Sequence, residues 1–118
     1  MRTLRFIVDG QILKPDPNCD FENLVPGSEE YVKAEFVFTG YDTRITWGTV
    51  GKAAEFYSRL GKEYEPKRLV PNQIGNWECT IPAEALKNRF FKIRVIGKRD
   101  KTLIKTNKLE VKQNGGKT

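Results

Sequence analysis

Residues 76–97 have the sequence NWECTIPAEALKNRFFKIRVIG, which predicts a strand, a short helical turn and a second strand. Pro82 has no amide donor, so it ends the first strand and suits the first turn of a helix. The helix formers that follow are too few for a freestanding helix, so we expect one or two turns near residues 83–88 that cross the end of a sandwich. The apolar residues of the first strand alternate with polar ones, as in a strand with one buried face: Trp77, Cys79 and Ile81.

The second strand combines an apolar face with a cationic face. Phe91, Ile93 and Val95 need a core. The pleat therefore turns Lys92 and Arg94 to the opposite face. These cations are either the solvated face of a sheet or a surface for a polyanion, and charged runs serve solubility more often than recognition.

The same alternation predicts strands on both sides of this stretch. Residues 31–38, YVKAEFVF, alternate strictly, and residues 52–57 alternate again. Residues 14–28 are rich in Pro, Asp and Asn and predict a long loop, and residues 40–51 predict a turn-rich connection. We expect seven or eight short strands in an antiparallel β-sandwich of immunoglobulin-like type. It forms a single domain over residues 1–113, followed by a mobile tail over residues 114–118.

Composition supports one globular domain. With 118 residues, 38% of them hydrophobic and 31% charged, the chain can build one modest core. Its apolar runs are too short for a membrane span, so we expect no membrane insertion. The apolar stretch near the N-terminus is followed by Asp9, which favours a strand over a signal peptide and predicts synthesis in the cytoplasm.

The residue types argue against an enzyme. Histidine is absent, which removes the commonest general base and the commonest metal ligand. Cys19 and Cys79 form no CxxC pair; we expect Cys79 in the core, Cys19 exposed, and neither reactive. The glutamates show no catalytic spacing, and Lys52 begins a strand instead of the helix that a phosphate loop requires. The residue types leave a carboxylate-pair hydrolase or a metal site with oxygen ligands open. We nevertheless predict no catalytic residues, no metal and no cofactor.

Charge is distributed unevenly along the chain. Residues 1–59 carry seven Lys/Arg and nine Asp/Glu, a net charge of −2, whereas residues 60–118 carry fourteen and six, a net charge of +8. Such asymmetry suits a phosphate backbone or an acidic partner. Exposed tyrosines favour an interface, although cross-strand packing explains them equally well. The candidate interaction surface contains Lys92, Arg94, Lys98, Arg99, Tyr31 and Tyr57.

Several motifs, in this order, resemble small β-sandwich proteins of tailed phages and prophages of Firmicutes. The resemblance covers most of the chain and is carried by RFIVDGQILKPDPNCDFENLVPG, YVKAEFVF, Trp47-Gly48 followed by GKAAEFYS, WECTIPAEALKNRFFKIRVIGK, KTNKLEV and the closing NGG. It implies a non-enzymatic tail- or virion-associated module that contacts other phage structural proteins. Exposed edge strands favour a homo-oligomer as well. The resemblance also implies synthesis in the host bacterial cytoplasm and a place in the virion. The alternative is a basic accessory protein that binds nucleic acid through its cationic C-terminal half.

Overall fold

The computed structural model describes residues 2–22, 24–29 and 31–113. The predicted tail over residues 114–118 lies outside these ranges. The described chain forms two helices, α1 (Tyr41–Trp47) and α2 (Ala83–Leu86). It also forms ten strands, which in chain order are β1 (Arg2–Asp9), β2 (Ile12–Pro15), β3 (Val32–Phe38), β4 (Gly51–Ser58), β5 (Lys67–Arg68), β6 (Val70–Pro71), β7 (Trp77–Thr80), β8 (Phe90–Arg99), β9 (Thr102–Lys105) and β10 (Leu109–Lys112).

The sequence predicted one of the two helices and missed the other. The short turn predicted after Pro82 is confirmed by α2. The turn-rich connection predicted over residues 40–51 was wrong, because α1 lies there. Most residues of α1 have modest helix propensity, but Thr43 and Trp47, one turn apart, are both buried, so packing decides the local structure. Neither helix in the described ranges has the length and apolar composition needed to cross a bilayer.

The first sheet has the strand order β2-β1-β3-β7-β6. Its pairs are antiparallel except for β1 and β3, which run parallel from Arg2 opposite Val32 to Val8 opposite Phe38. The expectation of a wholly antiparallel sandwich was therefore wrong for this pair. A parallel neighbour requires a long connection, and the chain between β1 and β3, which includes β2, supplies it.

The second sheet is built around β8. β4 pairs along one side of β8, from Gly51 opposite Lys98 to Ser58 opposite Phe91. β10 and β9 pair one after the other along its second side, and β5 lies beyond β4. The described strands outnumber the predicted seven or eight partly because β5 and β6 contain only two residues each.

Both sheets bury their apolar residues in one core. The fold is mostly β, and the packing of two sheets on one core is compatible with the predicted sandwich. It also follows the predicted alternation in β3 and β8. The first sheet contributes Leu4, Phe6, Val8, Ala34 and Phe36, and the second contributes Ala54, Phe56, Phe91, Ile93 and Val95.

The lateral edges of the two sheets are tied together. On one side the chain passes from β5 in the second sheet to β6 in the first, and the amide of the buried residue between them, Leu69, donates to the carbonyl of Lys52. On the other side Asn107 follows β9 and holds β2. Its Oδ1 accepts from the amide of Leu13 at 2.7 Å, and its Nδ2 donates to the carbonyl of the same residue at 3.1 Å. Edge groups that would otherwise attract another strand are therefore occupied at Leu13.

Trp47 joins α1 to both sheets. Its ring centroid lies 5.4 Å from that of Phe38 in β3, and its Nε1 donates to the carbonyl of Gly10 at 2.8 Å. It also packs on Gly97 in β8. A Cβ added at Gly97 would lie 2.5 Å from Val50 Cγ2 and 2.9 Å from the Trp47 ring, so only glycine fits beneath the indole.

We expect Gly97→Ala to lower the free energy of unfolding by about 1–3 kcal/mol, because the methyl group overpacks this site. Gly51→Ala is the matched control in the neighbouring strand, since its Cβ would lie an ordinary 3.6 Å from the Lys98 carbonyl oxygen. Urea unfolding of both variants measures the difference. Equal destabilisation by the two substitutions would contradict the role assigned to the Trp47 contact.

Candidate functional site

The predicted cations of β8 lie on the outer face of the second sheet. The registers place Lys105 of β9 and Lys112 of β10 on the same face. We call Lys92, Arg94, Lys98, Lys105 and Lys112 the basic face. Lys92 and Lys98 are six residues apart along β8, or about 20 Å, so the face is long and narrow.

Arg94 is neutralised within the sheet. Its Nε lies 2.6 Å from Glu55 Oε1, and Glu55 is directly opposite it in β4. Burial would lower the pKa of Arg94, but the hydrogen bond and charge of Glu55 outweigh it and raise that pKa. Burial would likewise raise the pKa of Glu55, but hydrogen bonds from Tyr57 and Arg94 lower it. The pair therefore stays ionised, and Arg94 is a poor contact for an external phosphate.

Tyr57 lies on the outer face, as the alternation predicted, but its exposed fraction is only 5%. Lys108 Nζ covers the ring at 3.9 Å from its centroid, and the Arg94 guanidinium lies 5.4 Å away. The hydroxyl donates to Glu55 Oε1 at 2.6 Å. Burial, followed by the hydrogen bond and charge of Glu55, raises the pKa of Tyr57 to about 12. Its ring is thus a packing element of the basic face and offers no free aromatic surface.

Of the remaining predicted residues, Lys98 lies at the far end of the basic face, whereas Arg99 and Tyr31 lie outside it. Lys98 and Arg99 are exposed where β8 ends, and Arg99 Nη1 donates to the carbonyl of Thr49 at 3.5 Å. Tyr31 is exposed just before β3 in the other sheet, where its carbonyl accepts from the amide of Arg2. The six predicted residues are therefore not one contiguous surface.

A carboxylate network on the outer face of the first sheet was not predicted. Glu35 of β3 and Glu78 of β7 are direct cross-strand partners, and Asn72 Nδ2 donates to Glu35 Oε2 at 2.6 Å and to Glu78 Oε1 at 3.1 Å. Arg5 Nε lies 2.7 Å from Glu35 Oε1, and Lys33 Nζ lies 3.3 Å from Glu78 Oε1. Alternation placed Glu35 on a polar face, but only the strand pairing brings the two carboxylates together.

This network is internally satisfied. Glu35 is 4% exposed, and both of its carboxylate oxygens accept hydrogen bonds. Burial would raise the pKa of Glu35, but the hydrogen bonds from Arg5 and Asn72 lower it. The carboxylate therefore remains ionised, which suits an ion pair and not a proton donor.

A second unpredicted feature is a groove of about 560 Å³ beside α1, whose lining includes Phe38, Arg44, Trp47, Lys52 and Trp77. We call these five residues the Lys52 groove. Lys52 is the second residue of β4, which confirms that it belongs to a strand, but it is only 6% exposed. Its Nζ lies 3.9 Å from the Trp77 ring centroid and donates to the carbonyl of Val50 at 3.3 Å. Burial lowers the pKa of this ammonium group.

Exposed apolar side chains surround the same end of the molecule. Tyr41 and Ile45, one turn apart on α1, are 78% and 59% exposed. Ile74 is exposed and lines the Lys52 groove on one side of α1. Leu103 is exposed and lies with α1 residues in a smaller cavity on the other side. We call Tyr41, Ile45, Ile74 and Leu103 the α1 end.

The cysteines are placed without a partner for disulfide chemistry. Cys79 is buried as predicted, and burial raises the pKa of its thiol to about 12. Cys19 is half-buried, less exposed than predicted, because its Sγ accepts from the amide of Arg5 at 3.2 Å. Within the described ranges, no group of three or more His, Cys, Asp or Glu residues is arranged to hold a metal ion.

We expect Tyr57→Phe to lower the free energy of unfolding at pH 7 by about 1.5–3 kcal/mol, because a buried hydrogen bond to a carboxylate is lost. The pKa of Tyr57 is raised from 10.0 to about 12, so its stabilising contribution is full below pH 10 and declines as the pH rises to 12. The gap between wild type and variant should therefore narrow over that interval. Urea unfolding from pH 7 to 12 measures it, with the exposed Tyr31→Phe as control. A gap that stayed constant up to pH 12 would show that the hydroxyl is not held in this way.

Comparison of the chain with protein-family models, curated proteins and solved structures found no match. The residues and geometry of the chain itself therefore carry the functional proposal.

Proposed function

We propose that this chain is a non-enzymatic structural protein of a bacteriophage or prophage. In this proposal it is a tail- or virion-associated subunit that contacts other phage proteins through its α1 end. The observation that carries the proposal is the exposure of Tyr41, Ile45, Ile74 and Leu103 around one end of the molecule. Clustered exposed apolar side chains on a folded domain mark interaction sites, and tyrosine is enriched at protein interfaces.

The sequence motifs supply the phage context. Their order resembles small phage β-sandwich modules, and the two-sheet core is compatible with such a module. The immunoglobulin-like type of the sandwich, synthesis in the host bacterial cytoplasm and assembly into the virion are parts of this proposal.

The lateral edges favour contact through an end of the molecule. The side between β5 and β6 is crossed by the chain at Leu69, and the backbone groups of Leu13 in β2 are held by Asn107. Addition of a partner strand at these positions would have to displace existing contacts. A homo-oligomer, like a contact with other phage proteins, is therefore expected to use the α1 end.

Mass spectrometry of purified particles from an induced lysogen carrying this gene tests the proposal. We expect the protein at a stoichiometric level in the particles. The combined variant Tyr41→Ser and Ile45→Ser should reduce its incorporation at least tenfold, because truncation of central apolar contacts weakens an interface.

Leu60→Ser is the matched control. Leu60 is 99% exposed in the turn after β4, at the opposite end of that strand from α1, so its replacement removes a similar apolar group elsewhere. Wild-type incorporation is expected for this variant. Absence of the wild-type protein from particles would reject the virion role, and equal incorporation of all variants would reject the α1 end as the contact.

The alternative function, nucleic-acid binding, is favoured by the basic face, where five cations lie on one side of the second sheet. Among the described residues of β4, β8, β9 and β10, the acidic ones are Glu55 and Glu110. It predicts DNA affinity that falls steeply as salt rises. Removal of three exposed or half-exposed cations of the basic face, Lys92→Ser, Lys98→Ser and Lys112→Ser, should then lower the slope of log affinity against log salt concentration by about three.

The control for this test removes an equal charge from exposed positions elsewhere: Lys14→Ser, Lys62→Ser and Lys87→Ser. Arg94 is left in place because its loss would leave the Glu55 carboxylate without its ion-pair partner. Identical DNA binding by the two triple variants would exclude the basic face as a nucleic-acid site.

A further inference from the structure

Lys52 is a buried cation without a carboxylate partner among the described residues. Its ammonium group carries three N–H donors, and a single acceptor, the carbonyl of Val50, lies within hydrogen-bond distance in the described chain. The Trp77 ring covers the ammonium at 3.9 Å and the Phe38 ring lies 5.7 Å away. Removing an ammonium group from water without a counter-charge is unfavourable, and aromatic faces compensate for it only in part.

A second cation lines the same groove. Arg44 belongs to the last turn of α1, is exposed, and forms no ion pair with any residue in the described ranges. The other residues that line the groove carry no charge. The groove thus presents two positive charges and no negative charge of its own.

The contrast with the rest of the molecule is informative. Arg5 is paired with Glu35, Lys33 with Glu78, and Arg94 with Glu55. Each of these half-buried cations has a carboxylate within 3.3 Å. Lys52 is more deeply buried than any of them and has none, so its counter-charge would have to come from outside the described chain.

We propose that the Lys52 groove binds an anionic oxygen group, a carboxylate or a phosphate, on a small ligand with an apolar body. Lys52 donates its remaining hydrogen bonds to the oxygens of this group, and the exposed Arg44 side chain contributes a second positive charge from the solvent side. Trp77 and Phe38 form the apolar wall against which the ligand body packs. The volume of about 560 Å³ is typical of small-molecule sites.

The experiment titrates the full chain with benzoate, phenyl phosphate and the neutral benzamide at fixed ionic strength and pH 7. Tryptophan fluorescence and calorimetry measure binding, because Trp77 and Trp47 line the groove. We expect binding of at least one of the two anions and at least tenfold weaker binding of benzamide. Preference for benzoate identifies a carboxylate ligand and preference for phenyl phosphate identifies a phosphate ligand.

Three variants locate the binding. Lys52→Met keeps the apolar stem and removes the charge, and should weaken anion binding at least tenfold. Arg44→Gln should weaken it several-fold. Lys62→Met, at an exposed lysine in the connection after β4 and outside the basic face, is the matched control and should bind as wild type does. Equal affinity of wild type and Lys52→Met, or equal binding of benzamide and the anions, would overturn the proposal.

A second measurement does not depend on a variant. An anion bound beside Lys52 favours its charged form, so the ligand should raise the pKa of Lys52, which is observable by NMR of the labelled side-chain nitrogen. No binding of either anion at millimolar concentration, with the Lys52 signal unchanged, also overturns the proposal. Because the assay uses purified protein and small anions, its outcome is separate from the test of incorporation into particles.

Discussion

The contact between the Trp47 indole and Gly97 organises one whole end of this protein. The indole packs directly on the backbone of Gly97 in β8, which is possible because glycine has no Cβ. Its nitrogen reaches back to Gly10 in the turn between β1 and β2, and its ring packs beside Phe38 at the end of β3. One side chain thereby fixes α1 against both sheets, and the position of α1 in turn creates the α1 end and one wall of the Lys52 groove.

Buried and half-buried cations have carboxylate partners on the outer faces of the sheets, whereas the cation between the sheets has none among the described residues. On the outer faces, cations that are partly buried are matched by carboxylates across a strand pair, as Arg94 is by Glu55 and Lys33 is by Glu78. These ion pairs satisfy the charges of the outer faces within the sheets. Between the sheets, the Lys52 ammonium group contacts a carbonyl and aromatic faces, and no carboxylate among the described residues pairs with it. The unmatched charge, and not the numerous charges of the basic face, is the departure from the pattern of the rest of the fold.

Local patterns in the sequence predicted the longer strands but not the strands with which they pair. Strict alternation predicted β3 and β8 and the faces of Lys92 and Arg94, and Pro82 predicted α2. The helix α1 was missed because its stability comes from burying Trp47, a tertiary contact that leaves little trace in seven residues of modest propensity.

The sites were harder to predict than the strands for the same reason. The meeting of Glu35 with Glu78, the covering of Tyr57 by Lys108, and the burial of Lys52 all depend on strand order and on loops that close over a face. The sequence pattern assigned Tyr57 to the correct face. It could not show that a lysine from the segment between β9 and β10 would cover the ring.

The order of strands in the two sheets affects how the chain folds during its synthesis on the ribosome. The main partner of β4 is β8, and some thirty residues separate the two strands along the chain. Ala54 and Phe56 therefore lie in a strand that has no main partner until β8 has been synthesised. Asn107, which secures β2 near the start of the chain, is synthesised later still. Folding to the native topology therefore requires most of the domain to be synthesised first, and it is slow for a domain of this size, since distant strands must pair before they stabilise the fold. The partly synthesised chain, in which the apolar face of β4 has no main partner, is the species on which a chaperone would act.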